Sequence, residues 1–543
     1  MKKLLLIPLL ACLAIWQHAS ACTDIVAGKK ATTDGSVITS HTYGGNDTRI
    51  RVVHGQKFPA GSMTPVYYGL QEINGALDNY GEILGEIPQV EQTYTYFHSA
   101  YSHMNEFQLA IAESTLSQRS ELQVDRESGK QIMTVEQAMI FALQRCKTAR
   151  EAVKLITSLM DKYGFLPSCG PESEALSIAD PNEVWILEIV AVGKGWTPES
   201  GKAGAIWAAQ RVPDDHVAII PNWSIIKEID LNKPEWFMAS KNYKQVAIDN
   251  GWYKEDSGKP FIWQEAYSPC LREWASGRFW LFYSQFAPNL KEWPNRKLKD
   301  PFHGQDAYHQ YVEDISIYPF SVKPEKKMSV QDIMAFQRST FEGTIYDKTS
   351  DPDWYVPNKD GKLVKSPLTT PFPTVAMREL LDITNRRNVS KGNYGMICQL
   401  RSWLPDAIGG VYWVFQDNQY TSPYVPIYCG TQEIHESYKN YDPKKYNPAS
   451  ARWAIDFVDN LLYLRWQDAV KDMREYRDPF QQKLFDNLIE NDKKASELYK
   501  KSPKKAKQFL TEKTNENMQS VLDLFTEIRN VLITKYTNNK QGS

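Results

Sequence analysis

The opening of the chain constrains everything after it. Met1-Lys2-Lys3 leads into an apolar run, Leu4 to Ile15, and after Trp16-Gln17-His18 comes Ala19-Ser20-Ala21, an A-x-A site of the kind signal peptidase cuts. A membrane span needs about 20 apolar residues, and this run is too short. Residues 1–21 therefore read as a signal peptide. The mature protein is expected to begin at Cys22, in a periplasmic or extracellular space, with signal peptidase as its processing partner. Leu9-Leu10-Ala11-Cys12 and Ala19-Ser20-Ala21-Cys22 also loosely match a lipoprotein box, so lipid on Cys12 or Cys22 stays open. No later stretch is long and apolar enough to span a bilayer, so stable membrane insertion is not expected.

A cysteine at a free amino terminus joins two groups that folding must otherwise bring together. The thiol is a nucleophile, and the α-amine of the same residue can take its proton. Reference pKa values of roughly 8 for the amine and roughly 8.5 for the thiol put both near neutrality. An exported chain can also simply retain a cysteine after its cleavage site, so position alone leaves a structural role open. The rest of the sequence narrows the chemistry by exclusion. With 63 Lys and Arg against 65 Asp and Glu, there is no broad basic field, and no nucleic-acid partner is expected. Six cysteines follow the cleavage site (Cys22, Cys146, Cys169, Cys270, Cys398, Cys429), with neither C-x-x-C nor paired Cys/His spacing. G-x-x-x-x-G-K-[ST], H-E-x-x-H and G-x-S-x-G are all missing. No cofactor and no metal is expected from these patterns.

Hairpins and helices alternate along the chain. Cys22 to Gly28 and Val37 to Ser40 flank Asp34-Gly35, a strong hairpin cue. Ala175–Ala179 and Val184–Val190 flank Asp180-Pro181-Asn182-Glu183 and read as a second hairpin. Residues 205–211 and 216–220 flank Pro213-Asp214-Asp215 and read as a third. Thr134 with Gln137, and Thr148 with Glu151, predict capping boxes ahead of two helices. From Trp453 onward the apolar residues recur at helical spacing, interrupted by Lys500 to Lys505, which reads as a solvated basic turn. Strands, helices and further antiparallel strands fit two packed sheets covered by helices, an αββα sandwich. The expected organisation is a core over 22–440 and a helical C-terminal extension over 441–543.

The pattern C-T-x-I-x-x-G-K-x-A-x-x-D-G-S from Cys22 resembles the start of peptidase family C69, the PepD-like dipeptidases. These belong to the N-terminal nucleophile hydrolases and are similar in catalytic design to choloylglycine hydrolases. The likeness continues through Asn105 to Thr115 (N-E-x-x-x-A-I-x-E-S-T), Trp207 to Asp215, and Val217 to Asn222. It extends to Phe341-Glu342-Gly343-Thr344 ahead of Asp347, Gln399 to Pro405, and Ile408 to Trp413. It implies the αββα layering and cysteine-dependent hydrolysis of short peptides, dipeptides above all, with Cys22 as nucleophile.

Asn222 ends a strand after a turn, and its neutral amide suits an oxyanion hole; a turn-stabilising role competes. Thr115 resembles a second donor on the oxyanion side. Ser276-Gly277-Arg278-Phe279 resembles an S-x-R-F element whose Arg lies near the nucleophile, with Arg272 as its rival. One departure stands out. Related hydrolases carry Arg and, three residues on, an Asp that holds the terminal amine. Here those positions are His41 and Gly44, which leaves His41 or Asp47 to substitute. Two other readings remain at this point: an N-acyl amide hydrolase, and a non-enzymatic exported binding lipoprotein.

Overall fold

Strand Asp24–Ala27 reverses through Asp34-Gly35 and returns as strand Val37–Tyr43, with Ile25 opposite Ser40. Gly35 takes a φ of +87°, open to glycine without cost, and Asp34 Oδ1 accepts the Ser36 amide at 3.0 Å. The structure, a computed structural model, describes residues 22–45, 47–73, 75–76, 78–269, 273–288, 318–344, 346–381 and 392–537. Residues 1–21 with Cys12, Cys270 and Arg272 lie outside the described residues, as does the Ser276 side chain.

Two antiparallel sheets organise the molecule, giving a mixed α/β fold. The larger has six strands in the order Val217–Ile220, Asp24–Ala27, Val37–Tyr43, Tyr394–Leu400, Gly410–Gln416, Val425–Tyr428. The smaller has five: Phe237–Ala239, Ile206–Val212, Val184–Val190, Ser173–Ala179, Ala110–Leu116. Ala110, Ala112, Ala175 and Ala179 are small enough to let the sheets approach closely. Polar contacts cross the gap between them: Thr39 Oγ1 lies 2.7 Å from Ser177 Oγ, and Ser114 Oγ donates to the Ile220 carbonyl at 3.2 Å.

The second hairpin forms as expected, but the third does not exist. Ile206–Val212 pairs along its whole length with Val184–Val190, whereas Val217–Ile220 pairs with Asp24–Ala27 in the other sheet. Pro213-Asp214-Asp215 is a crossing between sheets. Proline has no amide to donate to a ladder, and the connection of the first hairpin takes the carbonyls of Asp214 and of His216 just beyond it. Gly28 N donates to His216 O at 3.0 Å and Lys30 N to Asp214 O at 2.7 Å. The approach is so close that a Cβ on Gly28 would sit 2.4 Å from Asp214 O, so the position requires glycine.

Helices Val135–Arg145 and Ala149–Tyr163 cover the smaller sheet, where Ile111, Leu176, Ile178, Leu187 and Ile189 share one apolar cluster with Met139, Val153, Ile156 and Met160. Burying each such side chain stabilises by about 1.5–3 kcal/mol. Thr148 and Glu151 complete a capping box, but Thr134 and Gln137 complete only half of one. The Gln137 side chain instead accepts the Tyr67 amide at 2.9 Å. Helices Val330–Arg338, Ala451–Leu462, Trp466–Lys501 and Pro503–Tyr536 pack against the larger sheet, with Trp413 against Phe485 at 4.7 Å between ring centroids. The basic turn is a break at Ser502, which caps the following helix, with Pro503 at its first position. Among the described residues no helix is long and apolar enough to cross a membrane.

Candidate active site

Cys22 enters the strand that lies between Val217–Ile220 and Val37–Tyr43, so both flanks of its backbone are paired. The residue is only 4% exposed. Arg278, on helix Glu273–Phe286, is wholly buried and ties this strand end to the far end of its neighbour. One of its nitrogens donates to the Cys22 carbonyl and to Thr23 Oγ1 at 2.7 Å. The other donates to Pro221 O at 2.7 Å and to Asn222 Oδ1 at 3.1 Å. The guanidinium therefore grips the backbone of the nucleophile candidate, not its sulfur.

Asn222 adopts a φ of +62°, which Asn tolerates better than most residues. Its amide nitrogen donates to Ser114 Oγ at 3.0 Å, and Nδ2 donates to the Thr115 carbonyl at 2.9 Å. Because Arg278 takes Oδ1, the side-chain NH2 is oriented, and one of its two hydrogens remains for a further acceptor. Thr115 reaches the site from strand Ala110–Leu116, where its hydroxyl donates to Glu113 Oε1 at 3.0 Å.

Glu113 is central to the site, and sequence reasoning did not single it out. Glu113 and Thr115 share a face of their strand, and Glu174 stands opposite Thr115 on the next, diagonal to Glu113. Cys22 Sγ, a His41 ring nitrogen and a Glu113 carboxylate oxygen all lie within 4.8 Å of one another. Glu113, Cys169 and Glu174 form a second such group within the same limit, and the Tyr101 hydroxyl lies 3.2 Å from Cys169 Sγ. Among the described residues, these two groups have the donors to hold a metal ion. One signal was legible: a lone carboxylate inside A-I-A-E-S-T-L, a strand otherwise apolar or small.

Burial dominates the electrostatics. It pushes the Cys22 thiol well up, with Glu113, Cys169, Asp24 and Glu174 adding to it. Burial likewise raises Asp24 and Glu174 well above the carboxylate range, each further raised by Glu113, and it raises Glu113 itself. Desolvation and mutual repulsion both favour the neutral forms of these neighbouring carboxyls. Burial, and then His103, holds His41 well below its ordinary value, so the ring is neutral. His41 Nε2 stands 3.8 Å from Glu113 Oε2, too far for a hydrogen bond. The other proposed stand-in for the missing Asp is committed elsewhere. Asp47 is held by Arg49 through both carboxylate oxygens, at 2.8 Å each, and the Gly44 carbonyl accepts from Asn393 at 2.9 Å.

Comparison with known proteins agrees in extent with this site. The family model of Peptidase family C69 matches residues 21–478. A "Probable dipeptidase" of Latilactobacillus sakei is 24% identical over 447 residues, covering 80% of this chain and 79% of the relative. A "Probable dipeptidase B" of Streptococcus pyogenes serotype M1 is 24% identical over 546 residues, covering 96% and 94%. Among solved structures, a mutant conjugated bile acid hydrolase from Clostridium perfringens matches 31% of this chain and 47% of that one, at 14% identity and a TM-score of 0.19, which is too slight to carry an argument.

Proposed function

The chain belongs to peptidase family C69 and is a peptidase, and from that premise we propose an exported, cysteine-dependent dipeptidase whose nucleophile is Cys22 at the mature amino terminus. The names of its relatives support the substrate class. One observation carries the mechanism: a single buried guanidinium, that of Arg278, holds both the Cys22 carbonyl and the Asn222 side chain. The thiol of Cys22 gives its proton to its own α-amine and attacks the peptide carbonyl. The remaining Nδ2 hydrogen of Asn222 meets the oxyanion, and the ammonium then protonates the departing amine. The amine next activates the water that releases the acyl group. While the leader is attached, that nitrogen is an amide and cannot serve as a base, so cleavage by signal peptidase is the activating event. Once it has taken the thiol proton, the amine would be a cation beside Asp24, Glu113 and Glu174, and its charge would favour their ionised forms. In this reading Glu113, with His41 beside it, takes over from the Asp that Gly44 replaces. The layering proposed for the core, residues 22–440, is αββα, with residues 441–543 as the helical extension.

The test compares mature chains starting at Cys22 with chains starting at Ala21, at equal folded concentration. The longer chain should be nearly inactive. Equal rates would move the base elsewhere, to His41 first. Cys22→Ala should fold and lose turnover. A panel of dipeptides against N-acyl amino acids separates dipeptidase from the N-acyl amide hydrolase reading. Intact mass of the exported protein decides lipidation, since lipid on Cys22 would occupy the sulfur. Family membership already sets aside a purely binding role.

A further inference from the structure

The Cys22 pocket has the donors of a metal site as well as those of a hydrolase. Its sulfur, imidazole nitrogen and carboxylate oxygen come from Cys22, His41 and Glu113, three residues scattered along the sequence that fold to within 4.8 Å of one another. Around one tetrahedral ion with bonds of about 2.0–2.3 Å, such donors stand roughly 3.5 Å apart, so closing the set needs shifts on the order of 1 Å. A second observation points the same way. Both nitrogens of His41 and Oε2 of Glu113 are fully buried yet have no hydrogen-bond partner. Mixed sulfur, nitrogen and oxygen donors suit zinc and its neighbours better than calcium or magnesium.

We propose that the mature protein binds one zinc-class divalent cation through the sulfur and α-nitrogen of Cys22, a ring nitrogen of His41 and the Glu113 carboxylate, and that the bound ion holds the enzyme inactive. The fourth ligand rests on the reading of Cys22 as the mature terminus. Only a free amine has the lone pair, and the sulfur and nitrogen of one cysteine close a five-membered ring on a metal. Signal cleavage thus completes the metal site in the same event that creates the base. Ligation releases the proton that the thiol would otherwise give to the amine, together with any proton on the Glu113 carboxyl, with no change of oxidation state. The ion takes both nucleophile and base, so removing it restores both.

Cobalt(II) is the probe, because thiolate ligation gives a near-ultraviolet charge-transfer band and tetrahedral coordination gives intense visible bands. Chelator-treated mature protein should take up one equivalent with both signals, and one equivalent of zinc should abolish peptidase activity reversibly. Cys22→Ala should lose the charge-transfer band, and Cys169→Ala should keep it. His41→Ala, Glu113→Gln and the chain starting at Ala21 should each weaken binding at least tenfold. A band that survives Cys22→Ala, or no one-to-one uptake by an active mature chain, overturns the site while leaving the peptidase reading intact. Should Glu113→Gln fail to fold, the Cys22→Ala and Cys169→Ala pair still decides. If the Ala21-start chain hydrolyses peptides at the full rate, the amine is not the base. The cobalt signals of the Cys22-start chain then judge the metal site on their own.

Discussion

Glu136→Gln should stabilise the protein at alkaline pH and much less in acid. Glu136 is the second residue of helix Val135–Arg145 and is almost entirely buried. Burial pushes its carboxyl up to about 7, and Glu113 adds to the effect against opposing contributions from Ser168, its own amide and Thr134. The unfolded chain titrates near 4.5. Because the folded value is the higher one, the native state holds the proton more tightly. Stability from this group is present below about 4.5 and is lost as pH rises towards 7. Linkage with a shift of roughly 2.5 units gives a cost of about 1 kcal/mol at pH 5 and about 3 kcal/mol at pH 8. Glutamine keeps the shape and does not titrate. Urea unfolding of both proteins at the two pH values should show the variant's advantage growing by about 2 kcal/mol from pH 5 to pH 8. An advantage that stays the same at both would mean the buried carboxyl titrates at its ordinary value, and the reasoning would fail.

Arg278→Lys retains the charge but cannot span the same four acceptors; losing two charge-assisted bonds at about 1.5–3 kcal/mol each should lower stability by about 3 kcal/mol or more, read by urea unfolding. An unchanged midpoint would show the bracket to be idle. Asn222→Asp keeps size and the contact with Arg278 but replaces the donor with an acceptor, so kcat should fall by about 10²–10³ in a dipeptide assay with the fold intact by circular dichroism. Gly28→Ala drives a methyl against the Asp214 carbonyl, 2.4 Å from the new carbon, and should cost about 1–3 kcal/mol in the same unfolding measurement.

What could be read in advance followed local chemistry. Asp34-Gly35 announces its hairpin because Gly35 takes a positive φ and Asp34 accepts the Ser36 amide, and Thr148 with Glu151 announces a helix start because both bonds lie within four residues. Where the partner lies far along the chain, the signal fails. The strand at Val217–Ile220 has the right texture, but period-two patterning says nothing about which strand it joins, and the assumed hairpin was wrong. Gln137 matched a capping pattern until Tyr67 offered another bond. Cys22, Thr115, Asn222 and Arg278 were legible through family-like motifs, and the structure brings all four to one place. Glu174 and Cys169 were not, because only the register between neighbouring strands and the path of the 164–172 loop bring them to Glu113.

The pairing of strand Asp24–Ala27 also has a consequence in time. One flank is satisfied early by Val37–Tyr43, but the other waits for Val217–Ile220, and the guanidinium that clasps Cys22 lies 256 residues away. Closing loops of that length is entropically slow, and contacts of such high sequence separation retard folding. Until they form, the segment beginning at Cys22 has an open hydrogen-bonding edge, a hazard for misassembly. A chain that ends before residue 278 therefore has the cysteine without the clasp.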